Sequence, residues 1–130
     1  MRDLTKYRLD IAKERLDVAK SMIDTEHYSS SINRSYYSIF SSVRALLAER
    51  EIDFKKHSAV ISYFRREYIK TEIFDKKFSS YIGNAFDLRN DCDYEDFIII
   101  SREEAEIQYS HAMEFYETIK NFLEGTEECT

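Results

Sequence analysis

The sequence predicts an all-α protein, an antiparallel bundle of four long helices plus one short helix. Three observations carry that prediction. The 130 residues hold no proline and only two glycines, where ordinary usage would supply roughly six prolines and about nine glycines. Apolar residues recur at alternating three- and four-residue spacing over long stretches, the stripe of a helix packed on one face. The chain is also 43% hydrophobic and 34% charged, which is apolar enough to build a core and too apolar to stay disordered. Hairpin turns, Gly-rich phosphate loops and flexible linkers all lack their usual residues. The length suits one domain, expected over residues 1–125 with a frayed tail at 126–130.

The first helix is expected over residues 4–23, where Leu9, Ala12, Leu16, Ala19 and Ile23 make one stripe. A polar break from Asp24 to His27 precedes a second helix over residues 28–50. Its stripe of Ile32, Tyr36, Ile39, Phe40, Val43, Leu46 and Leu47 is wide and continuous, which places this helix at the centre. Residues 51–56 lose the pattern and read as a loop. The short helix follows over residues 57–68, with Val60, Ile61 and Phe64 on one face. The fourth starts near Thr71 or Asp75 and turns Phe74, Phe78, Ile82, Ala85, Leu88 and Cys92 inward. Gly83 interrupts that pattern, where glycine costs ~1 kcal/mol relative to alanine; a close approach by another helix would explain it. Residues 93–100 read as an extended connector pinned on the helices, because a lone strand at Phe97 to Ile100 has no partner. Ser101 and Glu104 then form a capping box that opens the last helix. Ala105, Ala112, Phe115, Tyr116, Ile119 and Leu123 are its buried face, and Gly125 is its expected stop.

Function classes fall away in turn. Apolar runs such as Phe97 to Ile100 are far short of the ~20 residues that span a bilayer, and Met1 leads straight into a charged amphipathic pattern, so neither membrane span nor signal peptide is expected. Cys92 and Cys129 have no metal or redox spacing and read as reduced thiols of a cytoplasmic protein. The formal net charge of −6 is uneven: residues 1–80 carry 16 Lys and Arg against 12 Asp and Glu, residues 81–130 only 3 against 13. A basic face is therefore allowed in the first eighty residues but not over the whole molecule. No P-loop or dinucleotide fingerprint occurs, and no cofactor is expected.

The densest polar cluster spans residues 87–96. Arg89 shares a helical face with Cys92 and Asp93, and the carboxylate of Asp93 is one turn away. A guanidinium at the edge of a core needs such a partner. Four Asp and one Glu lie in this segment, but without the glycine turn and regular spacing of a calcium loop, so no metal site is expected. His27 reads as a loop residue, His57 as a helix-start residue, and His111 falls in a stretch of the last helix that reads as exposed.

The run from Asn33 to Phe40, with the paired Tyr36 and Tyr37, then Ala45-Leu46-Leu47, Lys56 to Val60, Leu88 to Tyr94 and the acidic last helix together resemble the HEPN superfamily, and within it the small stand-alone prokaryotic branch. The resemblance implies an all-α bundle that usually forms a homodimer, and a place in toxin–antitoxin or defence systems, often beside a minimal nucleotidyltransferase partner. Its ribonuclease members carry an arginine followed by a polar residue and, four to six positions on, a histidine. Arg89 and Asn90 match the first half, but Asp93, Tyr94 and Glu95 occupy the histidine positions. General acid–base cleavage wants a group that titrates near neutrality, so the family mechanism lacks its histidine here. The expected function is thus a nucleotide-, RNA- or partner-binding module presenting Arg89, Asn90, Asp93 and Tyr94 in a cleft, with Tyr36, Tyr37 and His57 as secondary candidates. The alternatives are a metal-independent ribonuclease using Arg89 with a non-histidine base, and a purely structural partner subunit. No catalytic residue is assigned.

Overall fold

A computed structural model describes residues 1–128, and every secondary-structure element among them is a helix. Helix α1 spans Asp3–Asp24, α2 Tyr28–Glu49, α3 His57–Phe64, α4 Lys77–Tyr94 and α5 Arg102–Glu128. The fold is the bundle expected, four long helices and one short. Helix α2 packs against α1, α3, α4 and α5. That central position follows from its wide stripe: Tyr36, Ile39, Val43, Ala45 and Leu47 are wholly buried. Two of its serines face α1 and complete their hydrogen bonds there. Ser31 Oγ donates to the Ala19 carbonyl at 2.9 Å and Ser38 Oγ to that of Ala12 at 2.8 Å, which lets the two backbones approach closely.

The helices stop without glycine. Glu26, Glu51 and Glu72 all have positive φ, near 60°, the left-handed conformation usually left to glycine or asparagine. At Glu51 the closing bonds are those of a Schellman motif, Ile52 N–H to Leu47 O and Glu51 N–H to Ala48 O, each 3.0 Å. The same pair closes α1, from His27 N–H to Met22 O and Glu26 N–H to Ile23 O. With so few glycines, glutamate takes the strained position and leaves its side chain in water.

Three expectations are corrected. The short helix does not run regularly to residue 68: it ends at Phe64 and continues as a π-helical turn, Arg65–Ile69, with Lys70 N–H donating five residues back to Arg65 O at 2.9 Å. Helix α4 begins later than expected and continues through Asp93 and Tyr94, so the connector is shorter than eight residues. Ile100 is buried and Ile98 half-buried, whereas Phe97, at positive φ, is fully exposed and Ile99 nearly so. Only alternate residues of the connector are pinned. Finally, Gly125 does not stop α5, which runs to Glu128; a Cβ there would meet nothing within 4 Å. Of the tail expected to fray, residues 126–128 are helical and Cys129 and Thr130 lie outside the described residues. The capping box is as expected. Glu104 N–H donates to Ser101 Oγ at 3.1 Å, and Ser101 N–H to Glu104 Oε2 at 3.0 Å.

Candidate functional site: an arginine walled by aromatic rings

Helix α4 carries Arg89 toward α2, and its side chain is only 12% exposed. The guanidinium carbon lies 4.8 Å from the ring centre of Tyr36, 5.6 Å from Tyr37 and 5.8 Å from Phe86. Phe86 is three residues earlier on α4 and shares its face. Such ring faces attract a cation and hold it with few hydrogen bonds. The expected ion pair with Asp93 is present but long, Nη1 to Oδ2 at 3.5 Å. Arg89 Nε is buried with no hydrogen-bond partner. Besides Asp93, the Tyr36 hydroxyl is an acceptor within reach of the guanidinium; Nε has none, so the group taken out of water is incompletely satisfied. An incoming phosphate would supply what is missing, and its geometry matches the fork.

His57, at the first position of α3, completes the group. Its ring stacks on Phe40 at 4.0 Å between centres, and Nδ1 is 2.7 Å from the Tyr36 hydroxyl. Burial pushes the Tyr36 phenol up to about 12, with the nearby Arg89 guanidinium opposing, so the hydroxyl stays protonated. Burial lowers the His57 pKa from its ordinary 6.5, and the positive charges of Arg89 and Arg44 lower it further. The imidazole is therefore neutral at pH 7. With Nδ1 held by Tyr36, Nε2 is the nitrogen left to meet a ligand. It is a base when Tyr36 accepts from Nδ1–H and a donor when Tyr36 donates.

A polar cleft of about 260 Å³ adjoins this group, lined by Ser29, Ser30, Asn33 and Arg34 of α2 and by Cys92 and Asp93 of α4. Arg34 Nη1 donates to Asn33 Oδ1 at 2.9 Å, so a second guanidinium stands at its mouth. Cys92 is half-buried, and burial raises its thiol pKa; it is no nucleophile at neutral pH.

The structure thus joins Arg89 to all three secondary candidates, Tyr36, Tyr37 and His57, and to Asp93 at the limit of contact. It separates Tyr94, which is 78% exposed, from the rings around the guanidinium; two tyrosines of α2 fill the place expected for it. Asn90 is half-buried beside Arg89 on α4. Phe40 and Arg44 of α2 escape a reading of the sequence, because no local spacing ties them to Arg89; Phe86 escapes it too, although its three-residue spacing from Arg89 marks it. His111 is half-buried rather than exposed, its ring stacked on Tyr81 at 3.9 Å, and burial lowers its pKa as well. His27 is exposed, as expected for a loop residue.

The two shifted histidines have a stability consequence. Each is held neutral in the fold and binds a proton more readily when unfolded, so the unfolded chain carries more protons just below pH 6.5. Their contribution is complete above that value and is lost as the pH falls toward their lowered folded pKa values. Thermal unfolding followed by circular dichroism should show Tm declining as pH drops below 6.5. The decline should be shallower in a His57→Gln, His111→Gln double variant, and an unchanged slope would contradict the burial of both rings.

An all-α bundle of four long helices and one short, with a ring-walled arginine between α2 and α4, defines a small helical domain of the HEPN kind. The chain belongs to the HEPN domain family, whose pattern it matches over residues 5–122. It is 39% identical over 100 residues, covering 77% of this chain and 68% of the relative, to a Methanocaldococcus jannaschii protein named "Putative toxin MJ0142". It is 33% identical over 99 residues, 76% of this chain and 75% of the relative, to a UPF0332 protein of Thermotoga maritima. A second M. jannaschii protein, named "Putative toxin MJ0605", is 30% identical over 96 residues, 74% of this chain and 71% of the relative. Among the described residues no helix is long and apolar enough to cross a membrane.

Proposed function

We propose that this chain is a toxin-type HEPN module that grips a phosphate of single-stranded RNA with Arg89, between Tyr36 and Tyr37 of α2 and His57 of α3. The observation that carries the reading is the state of Arg89: nearly buried, faced by three rings, with Nε unpartnered and its carboxylate only at 3.5 Å. A guanidinium serving only as a strut would be saturated by a short, two-pronged ion pair. The names of the relatives from M. jannaschii support the toxin aspect. The homodimer and the nucleotidyltransferase partner expected from the family belong to the same proposal. Phe97 and Ile99, almost wholly exposed in the connector between α4 and α5, are apolar surface that a second chain could cover.

A second reading is ribonuclease activity, favoured by one observation. The histidine absent after Arg89 on α4 has a counterpart from another helix, His57, whose Nδ1 is hydrogen-bonded at 2.7 Å to a tyrosine that itself lies against Arg89. A neutral imidazole so held can accept a proton from an attacking 2′-hydroxyl. The test separates the two readings. Fluorescence anisotropy with a labelled hexanucleotide RNA at low salt should show binding by the wild type and binding at least about tenfold weaker by Arg89→Ala. Gel analysis of the same mixtures should show no cleavage under the first reading, and cleavage abolished by His57→Ala under the second. Equal binding by wild type and Arg89→Ala overturns both.

A further inference from the structure

The π-helical turn after α3 places Arg65 across α4. Its Nε donates to Ser79 Oγ at 2.9 Å and its Nη2 to the Ser79 carbonyl at 3.1 Å. The guanidinium lies so close over Gly83 that a Cβ there would stand 2.7 Å from Nη2. Gly83 is therefore the seat of Arg65: an arginine side chain, not a neighbouring helix as the sequence suggested, occupies the space left by the missing Cβ. A glycine inside a helix weakens it, and the chain keeps one where it lets a cation be held in a fixed pose. Two bonds to serine leave Nη1 without a hydrogen bond, and Arg65 makes no ion pair among the described residues.

What the guanidinium faces is a groove of about 310 Å³ between α3 and α4. Ser58, Ser62 and Arg65 come from one face of α3 and its continuation, Asp87 and Phe86 from α4. Phe86 is shared with the first site, where its ring lies 5.8 Å from Arg89. On α4, Gly83, Phe86 and Arg89 step along the axis at three-residue intervals, a backbone rise of about 9 Å from the seat of Arg65 to Arg89. The groove and the Arg89 site are thus neighbours with one aromatic ring between them. Arg65 lines its groove directly, whereas Arg89, its side chain 12% exposed, meets the neighbouring polar cleft at Asp93. A ring between two cationic positions is the usual arrangement for a base flanked by phosphates.

We propose that the groove between α3 and α4 is a second phosphate subsite, in which Arg65 holds the backbone of the same single-stranded RNA whose other phosphate sits at Arg89. The inference rests on the reading of Arg89 given above. Ser58 and Ser62 donate to the phosphate from the α3 wall. Asp87, which repels a phosphate, accepts from a ribose 2′-hydroxyl, the group that distinguishes RNA from DNA.

The experiment is a salt titration of hexanucleotide RNA binding by the wild type and by Arg65→Gln, Gly83→Ala and Arg89→Ala. Arg65→Gln should weaken binding about tenfold or more and reduce the slope of log affinity against log salt by about 0.7, one phosphate contact on a single strand. Gly83→Ala keeps the charge but pushes the guanidinium off Ser79. It should weaken binding in the same direction, with thermal stability maintained because alanine favours the helix. The corresponding DNA strand should bind less tightly than the RNA, and equal binding overturns the role of Asp87. Unchanged affinity and slope in Arg65→Gln overturn the subsite; if Arg89→Ala still loses binding, the first reading stands alone. Loss in Arg65→Gln with none in Arg89→Ala leaves the groove as the binding site and removes the first reading. No binding by the wild type removes both.

Discussion

Phe64→Ala is expected to cost 3–5 kcal/mol of folding stability, at the upper end of what a core truncation removes. Phe64 ends α3, is wholly buried, and lies 5.4 Å from Phe115, 6.0 Å from Tyr68 and 6.1 Å from Phe74 between ring centres. Phe115 in turn meets Phe78 edge-on at 5.3 Å. This chain of rings joins α3, the π-helical turn, the start of α4 and α5. The π-helical turn and the segment after it are anchored through Tyr68 and Phe74, both of which pack on Phe64. Deleting the Phe64 ring removes its transfer free energy and leaves a cavity that rigid ring neighbours fill poorly. Against a typical total of 5–15 kcal/mol, the variant should unfold at a much lower urea midpoint, or be largely unfolded without denaturant. Phe64→Leu, which keeps most of the volume, should lose far less. A loss below ~1 kcal/mol for Phe64→Ala would show that the aromatic cluster does not hold α3 to α5.

The long helices are legible in the sequence because their stripes are local and regular. Leu9 to Ile23 and Ile32 to Leu47 keep one period throughout, and the stripe positions are all buried. The capping box at Ser101 is legible for the same reason, since its two residues are three apart. The π-helical turn is not. One extra residue between Phe64 and Ile69 changes the hydrogen-bond step from four to five, and no composition rule marks where such an insertion falls. The end of α4 lies two residues beyond the expected one, because Phe97 to Ile100 has strand composition while Arg89 and Asp93 favour one more helical turn.

The site divides along the same line. Arg89 and Asp93 can be paired from their four-residue spacing. Tyr94 is five residues from Arg89, and that places it about 140° around the helix, away from the rings. His57 is 32 positions from Arg89 in sequence, and only the packing of α3 against α2 brings it to the Tyr36 hydroxyl. Gly83 is the one local mark of a second feature, a breach of helix preference with no explanation in its own segment.

Arg89→Ala should separate binding from folding. A charged hydrogen bond is worth ~1.5–3 kcal/mol, so losing one such contact weakens RNA binding by roughly 10- to 150-fold. The phosphate would also lose the pose that the rings give the guanidinium, which places the expected effect at the upper end. Stability should respond differently. The variant leaves space beside Tyr36, Tyr37 and Phe86 and gives up their attraction for the cation. It also removes a buried Nε that has no partner and replaces arginine with the best helix former. Asp93 is left with its side chain 37% exposed, where water can solvate it. These opposing terms should leave the urea midpoint little changed, within about 1 kcal/mol. Arg89→Lys keeps the charge but loses the fork, and should recover part of the electrostatic attraction without the two-pronged grip. Salt titration reads that difference as a retained slope with a lower affinity. If Arg89→Ala instead unfolds while Arg89→Lys folds normally, the arginine is a strut between α4 and α2, and phosphate recognition must lie elsewhere on the molecule.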